Sequence, residues 1–264
     1  MRGLAERAYH RLCLALGRLL RAARYAETRL VAVDGAPEVR KRRVAGAPLL
    51  VWLGGWLVRL LATGVRVLPQ RAWEERERLL HARLRGTSIR TEADGTLVLP
   101  HLPGATLAAL LDDAALDAAR RSRAIRLAVA ALAALHRLGL THGDAMAENV
   151  MVDLDADVAH WFDFETEHDE RRPLAWRRAD DLRALLATSL LRTPSARLAG
   201  TLRLVLDAYG DDEATRLVAA SFASVLRRPL AFHLGQAPLS LARHRRIARL
   251  LRDRARGPTV VRVR

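Results

Sequence analysis

The sequence of 264 residues contains a single cysteine, Cys13, and aromatic residues make up only 5% of it. One cysteine excludes an internal disulfide framework and a zinc site built from cysteines, which favours a reducing compartment. The uncharged run VAGAPLLVWLGGWLV, residues 44–58, is shorter than the roughly 20 residues that a transmembrane helix needs. Charged residues from Glu6 onward interrupt the amino terminus, so it does not read as a secretory signal. We therefore expect a cytoplasmic protein.

Lysine is also nearly absent, although the chain is strongly basic. The net charge is +15 and the 44 basic residues comprise 43 arginines and one lysine, Lys41. Such a charge implies an anionic partner: nucleic acid, an acidic membrane surface or a phosphorylated substrate. Nucleic acid is the least expected of these, because no recognised binding module or aromatic stacking surface accompanies the arginines. An arginine-rich composition is typical of a GC-rich genome, so Lys41 is the informative basic residue.

Two segments are predicted to be basic amphipathic helices. Residues 1–26 place Leu4 and Leu12 at helical spacing among arginines, and the carboxyl-terminal segment LARHRRIARLL repeats the pattern before a basic coil. Each helix either packs on the rest of the chain or lies on a membrane. For residues 44–58, which carry Trp52 and Trp56, a buried helix is favoured over an element at the membrane interface.

The remaining pattern predicts an α+β protein with two lobes. Residues 27–102 contain a hairpin at Asp34-Gly35 and another at Asp94-Gly95, separated by a charged helix at Arg71–Leu84 that ends at Gly86. The apolar side of that helix is predicted to carry Leu79, Leu80 and Leu84. Residues 103–264 are predicted to be mostly helical, with Thr106 as a helix cap and a long helix at Ala114–Leu138 that ends at Gly139.

A polar cluster follows Gly139 in the segment THGDAMAENV. The runs Val150–Val152 and Val158–Phe164 then predict a hairpin. Because the two ends of a hairpin lie side by side, Asn149 and Asp163 are expected to come within reach of one ion. Their amide and carboxylate oxygens suit Mg²⁺, and Asp144 would stand beside that metal.

These residues resemble the signatures of the protein-kinase-like superfamily. His142-Gly143-Asp144 with Asn149 is similar to the motif H-[RG]-D-x-x-x-x-N, and Asp163-Phe164 is similar to the start of D-F-G. The HGD form resembles that of lipopolysaccharide-core sugar kinases and aminoglycoside-type small-molecule phosphotransferases. The resemblance implies a bilobal fold, with a small antiparallel sheet and one helix in the first lobe and a larger helical second lobe. It also implies ATP and Mg²⁺ as cofactors, Asp144 as the catalytic base, and Asn149 and Asp163 as the metal ligands.

The same resemblance assigns roles to four further residues. Lys41 would bind the nucleotide phosphates and pair with a glutamate on the following helix, for which Glu77 is favoured over Glu74 and Glu75. His142 is expected to be a buried structural residue, and Asp181 in the segment RRADDLRALL is expected to brace the catalytic loop.

The sequence departs from the family pattern at three places. No glycine-rich loop precedes Lys41 and Met146 occupies a position that often carries a cation, and these two departures favour an alternative, a pseudokinase or membrane-associated scaffold. The third departure is Glu165, which replaces the glycine of D-F-G. Glu165 would either add to metal binding or face solvent. The expected function is phosphoryl transfer to a hydroxyl of a saccharide or lipid-linked sugar, with the protein peripheral on the inner face of the cell membrane; a protein Ser/Thr kinase is a further alternative.

Overall fold

The computed structural model describes residues 2–22, 26–33, 35–44, 56, 64–226 and 237–255, and within these ranges the chain has a mixed α+β structure. The described helices are α1 Arg2–Ala22, α2 Gln70–Arg85, α3 Leu107–Asp112, α4 Ala118–Arg137, α5 Leu174–Arg192, α6 Leu198–Tyr209, α7 Asp212–Phe222 and α8 Leu241–Ala255. The described strands are β1 Ala26–Val33, β2 Ala36–Arg43, β3 Val65–Val67, β4 Arg90–Thr91, β5 Leu97–Pro100, β6 Ala105–Thr106, β7 Val150–Asp153, β8 Val158–Trp161 and β9 Thr166–His168.

The strands form small antiparallel sheets with the orders β1-β2-β5-β4, β3-β9 and β6-β7-β8. The predicted hairpins β1–β2 and β4–β5 are confirmed, with Lys41 paired to Thr28 on one side and to Leu97 on the other. The β7–β8 hairpin is confirmed as well, but its second strand ends at Trp161 rather than at the predicted Phe164. It ends there because Asp163 adopts a left-handed backbone conformation, with a φ of 69°, that a strand cannot continue.

The predicted apolar side of helix α2 is confirmed at Leu80, which is buried, and at Leu84, which packs against the main core, but Leu79 is exposed. The other buried residues of the helix are Trp73, Glu77 and His81. Trp73 forms a small hydrophobic cluster with Leu68, Ile89 and Leu97, so the inward face is defined by the indole ring. The predicted end of the helix is confirmed, since Gly86 adopts a φ of 64° as its cap.

A larger hydrophobic core lies between the helices that follow β6. Thr106 caps α3 as predicted, while α4 begins at Ala118, later than the predicted Ala114, because the side chain of Asp117 accepts a hydrogen bond from the backbone amide of Arg120. Buried leucines of α4 and α5 form the centre of the core: Leu132, Leu135, Leu182, Leu185 and Leu186. Val150 and Phe164 belong to the same cluster, so the segments on either side of the β7–β8 hairpin are anchored in the main core.

Both basic amphipathic helices pack on the chain. In α1, Cys13 is buried and Nε2 of His10 lies 2.7 Å from the carbonyl oxygen of Leu239. In α8, the buried residues are His244, Ile247, Ala248 and Leu251. Glu6 of α1 forms an ion pair of 3.0 Å with Arg245 of α8, so the two helices are neighbours.

Several predicted features lie outside the described residues: Asp34, the run around Trp52 and the coil after Ala255. Trp56 is described, and its side chain is 55% exposed. Among the helices that the structure describes, none is both long enough and apolar enough to cross a bilayer.

The buried histidine His244 predicts acid sensitivity. Its ring stacks on Phe222 with centroids 5.5 Å apart, and burial lowers its pKa to about 4. Because the unfolded state binds the proton near pH 6.5, stability is fully present above that pH and falls as the pH drops toward 4. Between pH 6.5 and 4.5 we expect the free energy of unfolding of wild type to fall by about 2 kcal/mol more than that of His244→Leu. Urea unfolding at each pH measures the two changes.

The exposed residue His101 provides the control, since His101→Leu removes an exposed imidazole ring and leaves the buried one in place. Equal acid sensitivity of His244→Leu and wild type would show that His244 contributes nothing to it.

Candidate active site

The polar loop between α4 and β7 is held by one buried carboxylate. Oδ2 of Asp181 accepts hydrogen bonds from the backbone amide of His142 (2.7 Å) and from Nε2 of His136 (3.0 Å), and Oδ1 accepts one from the amide of Gly143 (2.9 Å). Burial alone would raise the pKa of Asp181, but His168 and His136 beside it hold that pKa well below its usual range. Asp181, which was expected to brace this loop, therefore binds it through its carboxylate.

His142 connects this loop to the end of the β7–β8 hairpin. Its Nε2 donates to the carbonyl oxygen of Phe162 (2.9 Å), while its Nδ1 accepts from the amide of Asp144 (3.3 Å). Burial lowers the pKa of His142 to about 4, so the ring is neutral at pH 7 and carries the single proton that this pair of bonds requires. His142 is therefore buried and hydrogen-bonded on both ring nitrogens, as expected of a structural residue.

Asp144 and Asn149 are brought together by the turn that precedes β7. Nδ2 of Asn149 donates to the backbone oxygen of Asp144 (2.8 Å) and to its Oδ2 (3.3 Å). Oδ1 of Asp144 is buried and has no hydrogen-bond partner among the described residues. Burial raises the pKa of Asp144 well above its usual range, and the nearby carboxylate of Asp163 adds to the effect. Asp144 is thus oriented through one oxygen and able to accept a proton through the other.

Lys41 lies among three carboxylates. Its Nζ forms an ion pair with Asp163 and lies 2.5 Å from Oε1 of Glu165 and 3.9 Å from Oε1 of Glu77. Burial would lower the pKa of Lys41, but the three carboxylates raise it above its ordinary value. The ammonium group is therefore permanently charged and is shared among the acids around it.

Of the three candidate glutamates on α2, Glu77 is the buried one that contacts Lys41. Its Oε1 also accepts hydrogen bonds from the backbone amide of Phe164 (3.1 Å) and from Nε1 of Trp73 (3.2 Å). Glu75 is exposed, and Glu74 accepts a hydrogen bond from Gln70. The sequence-based preference for Glu77 agrees with these contacts.

The sequence left two alternatives for Glu165, metal binding or exposure to solvent. Exposure is wrong, because the residue is buried and paired with Lys41. The side chain of Asp163 is 34% exposed. Its left-handed backbone, which aspartate tolerates better than most residues, turns the chain between Phe162 and Phe164. Asp163 and Glu165 therefore hold the same ammonium group from one short segment.

The oxygen atoms available at the site fit a small hard cation. The described residues contain no group of three or more His, Cys, Asp or Glu side chains arranged to hold a metal ion. Mg²⁺ does not require one, because it is typically bound through one or two carboxylates together with water and phosphate oxygens. Nδ2 of Asn149 is used in the bonds to Asp144, which leaves its carbonyl oxygen for such an ion, and Asp163 supplies a partly exposed carboxylate.

A cavity of about 180 Å³ opens beside Lys41. Apolar side chains make up most of its wall: Val39, Leu99, Leu102, Met151 and Phe162. Lys41, Glu77 and Asp163 also line it. Such a cavity can bind a flat apolar group next to an anionic one. The sequence identified the segment LVLPHLP as a strand followed by a connection, but it did not predict which of its residues line this cavity.

Arg76 is a site residue that the sequence did not reveal. Its Nη2 donates to the carbonyl oxygens of Thr141 (2.7 Å) and His142 (3.4 Å), and its Nη1 lies 3.5 Å from Glu167. The guanidinium group of Arg76 thereby joins α2 to the loop that carries Asp144. Among 43 arginines no sequence signal could have singled it out.

Comparison of the sequence with models of known protein families finds no match. No curated protein is significantly similar to it.

Gly143 should be required by the packing of the loop. It adopts a φ of 89°, and a Cβ atom there would lie 3.0 Å from the Cα atom of Glu167. Gly139 is a matched control, because its φ is 75° and a Cβ atom there would meet no atom of the described residues within 4 Å. We expect Gly139→Ala to lower the free energy of unfolding by about 1 kcal/mol, and Gly143→Ala by about 1 to 3 kcal/mol more. Urea unfolding of both variants measures the difference, and equal losses would contradict the close approach.

Proposed function

We propose that this protein is an ATP- and Mg²⁺-dependent phosphotransferase with a bilobal, protein-kinase-like fold. The observation that carries the proposal is the contact of Lys41 with Glu77 and Asp163 at the edge of an apolar cavity. In protein kinases a lysine on a strand, a glutamate on the next helix and a metal-binding aspartate must all be in place for transfer. The pair Asp144 and Asn149, five residues apart and hydrogen-bonded, adds the second half of the same constellation.

The arrangement of the sheets supports the two proposed lobes. The sheet β1-β2-β5-β4 and helix α2 share a small hydrophobic cluster around Trp73, whereas α3 to α8 contribute to a larger one. The cavity is lined from both sides, by Val39 and Leu99 of the sheet and by Met151 of β7. A ligand between these elements would contact both.

The proposed nucleotide would use the two ends of the cavity differently. Its base would lie against the apolar wall, where burial replaces water by carbon contacts. Its phosphates would bind the ammonium group of Lys41, which presents a compact point charge rather than the planar fork of arginine. This difference in shape gives a physical reason for a lysine at this one position.

Asn149 and Asp163 would hold the magnesium ion through their side-chain oxygens. When bound, the ion would neutralise charge on the phosphates, which is the main requirement of phosphoryl transfer. Such a cation would fit the site, because three carboxylates, those of Glu77, Asp163 and Glu165, surround the one ammonium group of Lys41. Approach of further anionic oxygens without added positive charge would be strongly opposed.

Asp144 would act as the base for the acceptor. As the acceptor oxygen forms its bond to phosphorus, its proton would pass to Oδ1 of Asp144, and the bond between the transferred phosphorus and the ADP oxygen would break. Asn149 keeps Oδ2 engaged and so aims Oδ1. The raised pKa of Asp144 favours retention of the proton once it has been transferred.

The acceptor that we propose is a hydroxyl of a saccharide or a lipid-linked sugar. This part of the proposal rests on the HGD and DFE forms of the motifs, which resemble those of sugar kinases and small-molecule phosphotransferases, and on the strong positive charge. A cytoplasmic protein peripheral to the membrane would meet such an acceptor. A protein Ser/Thr kinase is the alternative acceptor class.

Replacement of the proposed base tests transfer directly. We expect Asp144→Asn to lower transfer of the γ-phosphate from ATP by a factor of about 10² to 10⁴, because the amide cannot accept the hydroxyl proton. Transfer would be measured on a panel of saccharides, glycolipids and proteins, with thermal unfolding as a check of the fold. Asp155→Asn, at an exposed position in the β7–β8 turn, is the matched control. Full activity of Asp144→Asn would refute the assignment.

A scaffold that retains the fold without phosphoryl transfer is the second candidate. It is favoured by the contacts of Lys41 with three carboxylates and by Met146. Calorimetric titration with Mg-ATP tests whether the site binds nucleotide. For an enzyme we expect binding in wild type that weakens at least about tenfold in Asp163→Ala, because that variant lacks a ligand of the ion. Absence of binding in wild type would favour the scaffold, and binding without turnover on the acceptor panel would favour a nucleotide-binding pseudokinase.

A further inference from the structure

Helix α1 uses two opposite faces. Its inward face buries His10 and Cys13. Its outward face carries Leu4 and Leu12, which are 68% and 53% exposed. At 100° per residue these two leucines are about 80° apart around the helix axis, and they lie roughly opposite to the buried residues. A helix that only covers the surface of a domain normally presents a polar outward face, so this apolar one needs a separate explanation.

The outward face of α1 is apolar beyond its two leucines. The other exposed residues on this side are small or basic: Ala5, Arg7, Ala8, Arg11 and Ala15. The only acid in the helix, Glu6, lies outside this group and is paired with Arg245. The exposed surface is therefore a strip of leucine and alanine flanked by positive charge.

Helix α8 supplies more positive charge beside α1. Arg245, Arg249 and Arg252 follow one another at intervals of four and three residues, and together with Glu6 they line a depression of about 210 Å³. That spacing places the three guanidinium groups on one side of the helix. The ion pair of Glu6 with Arg245 joins α1 to α8, so the arginine row begins beside the amino-terminal half of α1.

We propose that α1 and α8 form a docking surface for an anionic lipid bilayer. The leucines of α1 enter the interfacial region while the arginines of α8 contact lipid phosphates. Charge complementarity selects an anionic partner, and the exposed leucines select a bilayer rather than nucleic acid, since a phosphodiester backbone offers them no apolar environment. The surface is independent of the proposed phosphoryl transfer, and it lies on residues other than those of the candidate active site.

Vesicle co-sedimentation of the whole 264-residue chain tests the surface. The vesicles are phosphatidylcholine alone, or phosphatidylcholine with about one third phosphatidylglycerol, which gives the negative surface potential that attracts basic segments. We expect binding to the anionic vesicles that weakens as the salt concentration rises, because salt screens the arginines. We expect the double variant Leu4→Glu/Leu12→Glu to bind at least about tenfold more weakly at constant salt.

A matched double variant, Leu30→Glu/Leu79→Glu, replaces two exposed leucines elsewhere and should bind as wild type does. A second variant, Arg249→Glu/Arg252→Glu, should also lose binding while its leucines are intact. Thermal unfolding shows that each variant is folded.

Three results would overturn the proposal. One is equal vesicle binding by the Leu4/Leu12 variant and by the Leu30/Leu79 control. Another is binding to phosphatidylcholine alone that matches binding to anionic vesicles. The third is retention of duplex DNA at physiological salt without any binding to vesicles, which would assign the arginine row to nucleic acid instead.

Discussion

A single buried ammonium group connects the elements at the centre of this structure. Lys41 is shared by Glu77, Asp163 and Glu165, which come from a helix and from the segment that follows a hairpin. In a medium of low dielectric constant, three carboxylates around one cation attract further positive charge and repel anions. The same contact therefore joins the β1–β2 sheet, helix α2 and the end of the β7–β8 hairpin.

Neutral histidines organise the polar residues around this centre. Burial lowers the pKa of His142 and of His168 to about 4, so at pH 7 both rings act as hydrogen-bonding groups without charge. Asp181 receives the amides of His142 and Gly143 and balances the charge of the surrounding basic groups. Buried polar groups are costly when they lack partners, and here the loop obtains its partners from α5 and from the hairpin. Asp144 is held by this framework, with one carboxylate oxygen that makes no hydrogen bond to the described residues.

Local signals explain which parts of the fold could be predicted from the sequence. The Asp94-Gly95 turn, the stop at Gly86 and the Thr106 cap act within a few residues, and all are present as predicted. The buried face of α2 could be predicted only in part: Glu77 and Leu80 point inward as expected, whereas the burial of Trp73 and the exposure of Leu79 depend on packing against other segments. The role of Arg76 depends on a loop 65 residues away in sequence, and no local pattern reports such a contact.

The pairing of β3 with β9 restricts how helix α2 can move. Val65–Val67 precedes α2 and is paired with Thr166–His168, directly after Glu165, and the amide of Leu68 donates to the carbonyl oxygen of Glu165 at 3.0 Å. Arg76 attaches the middle of the helix to the loop at Thr141. An outward movement of α2 would separate Glu77 from Lys41. It would have to break both the β3–β9 pairing and the hydrogen bonds of Arg76, each hydrogen bond contributing about 1 kcal/mol. Helix α2 is thus held in place by two separate contacts, and its position beside Lys41 does not depend on the ion pair of Glu77 alone.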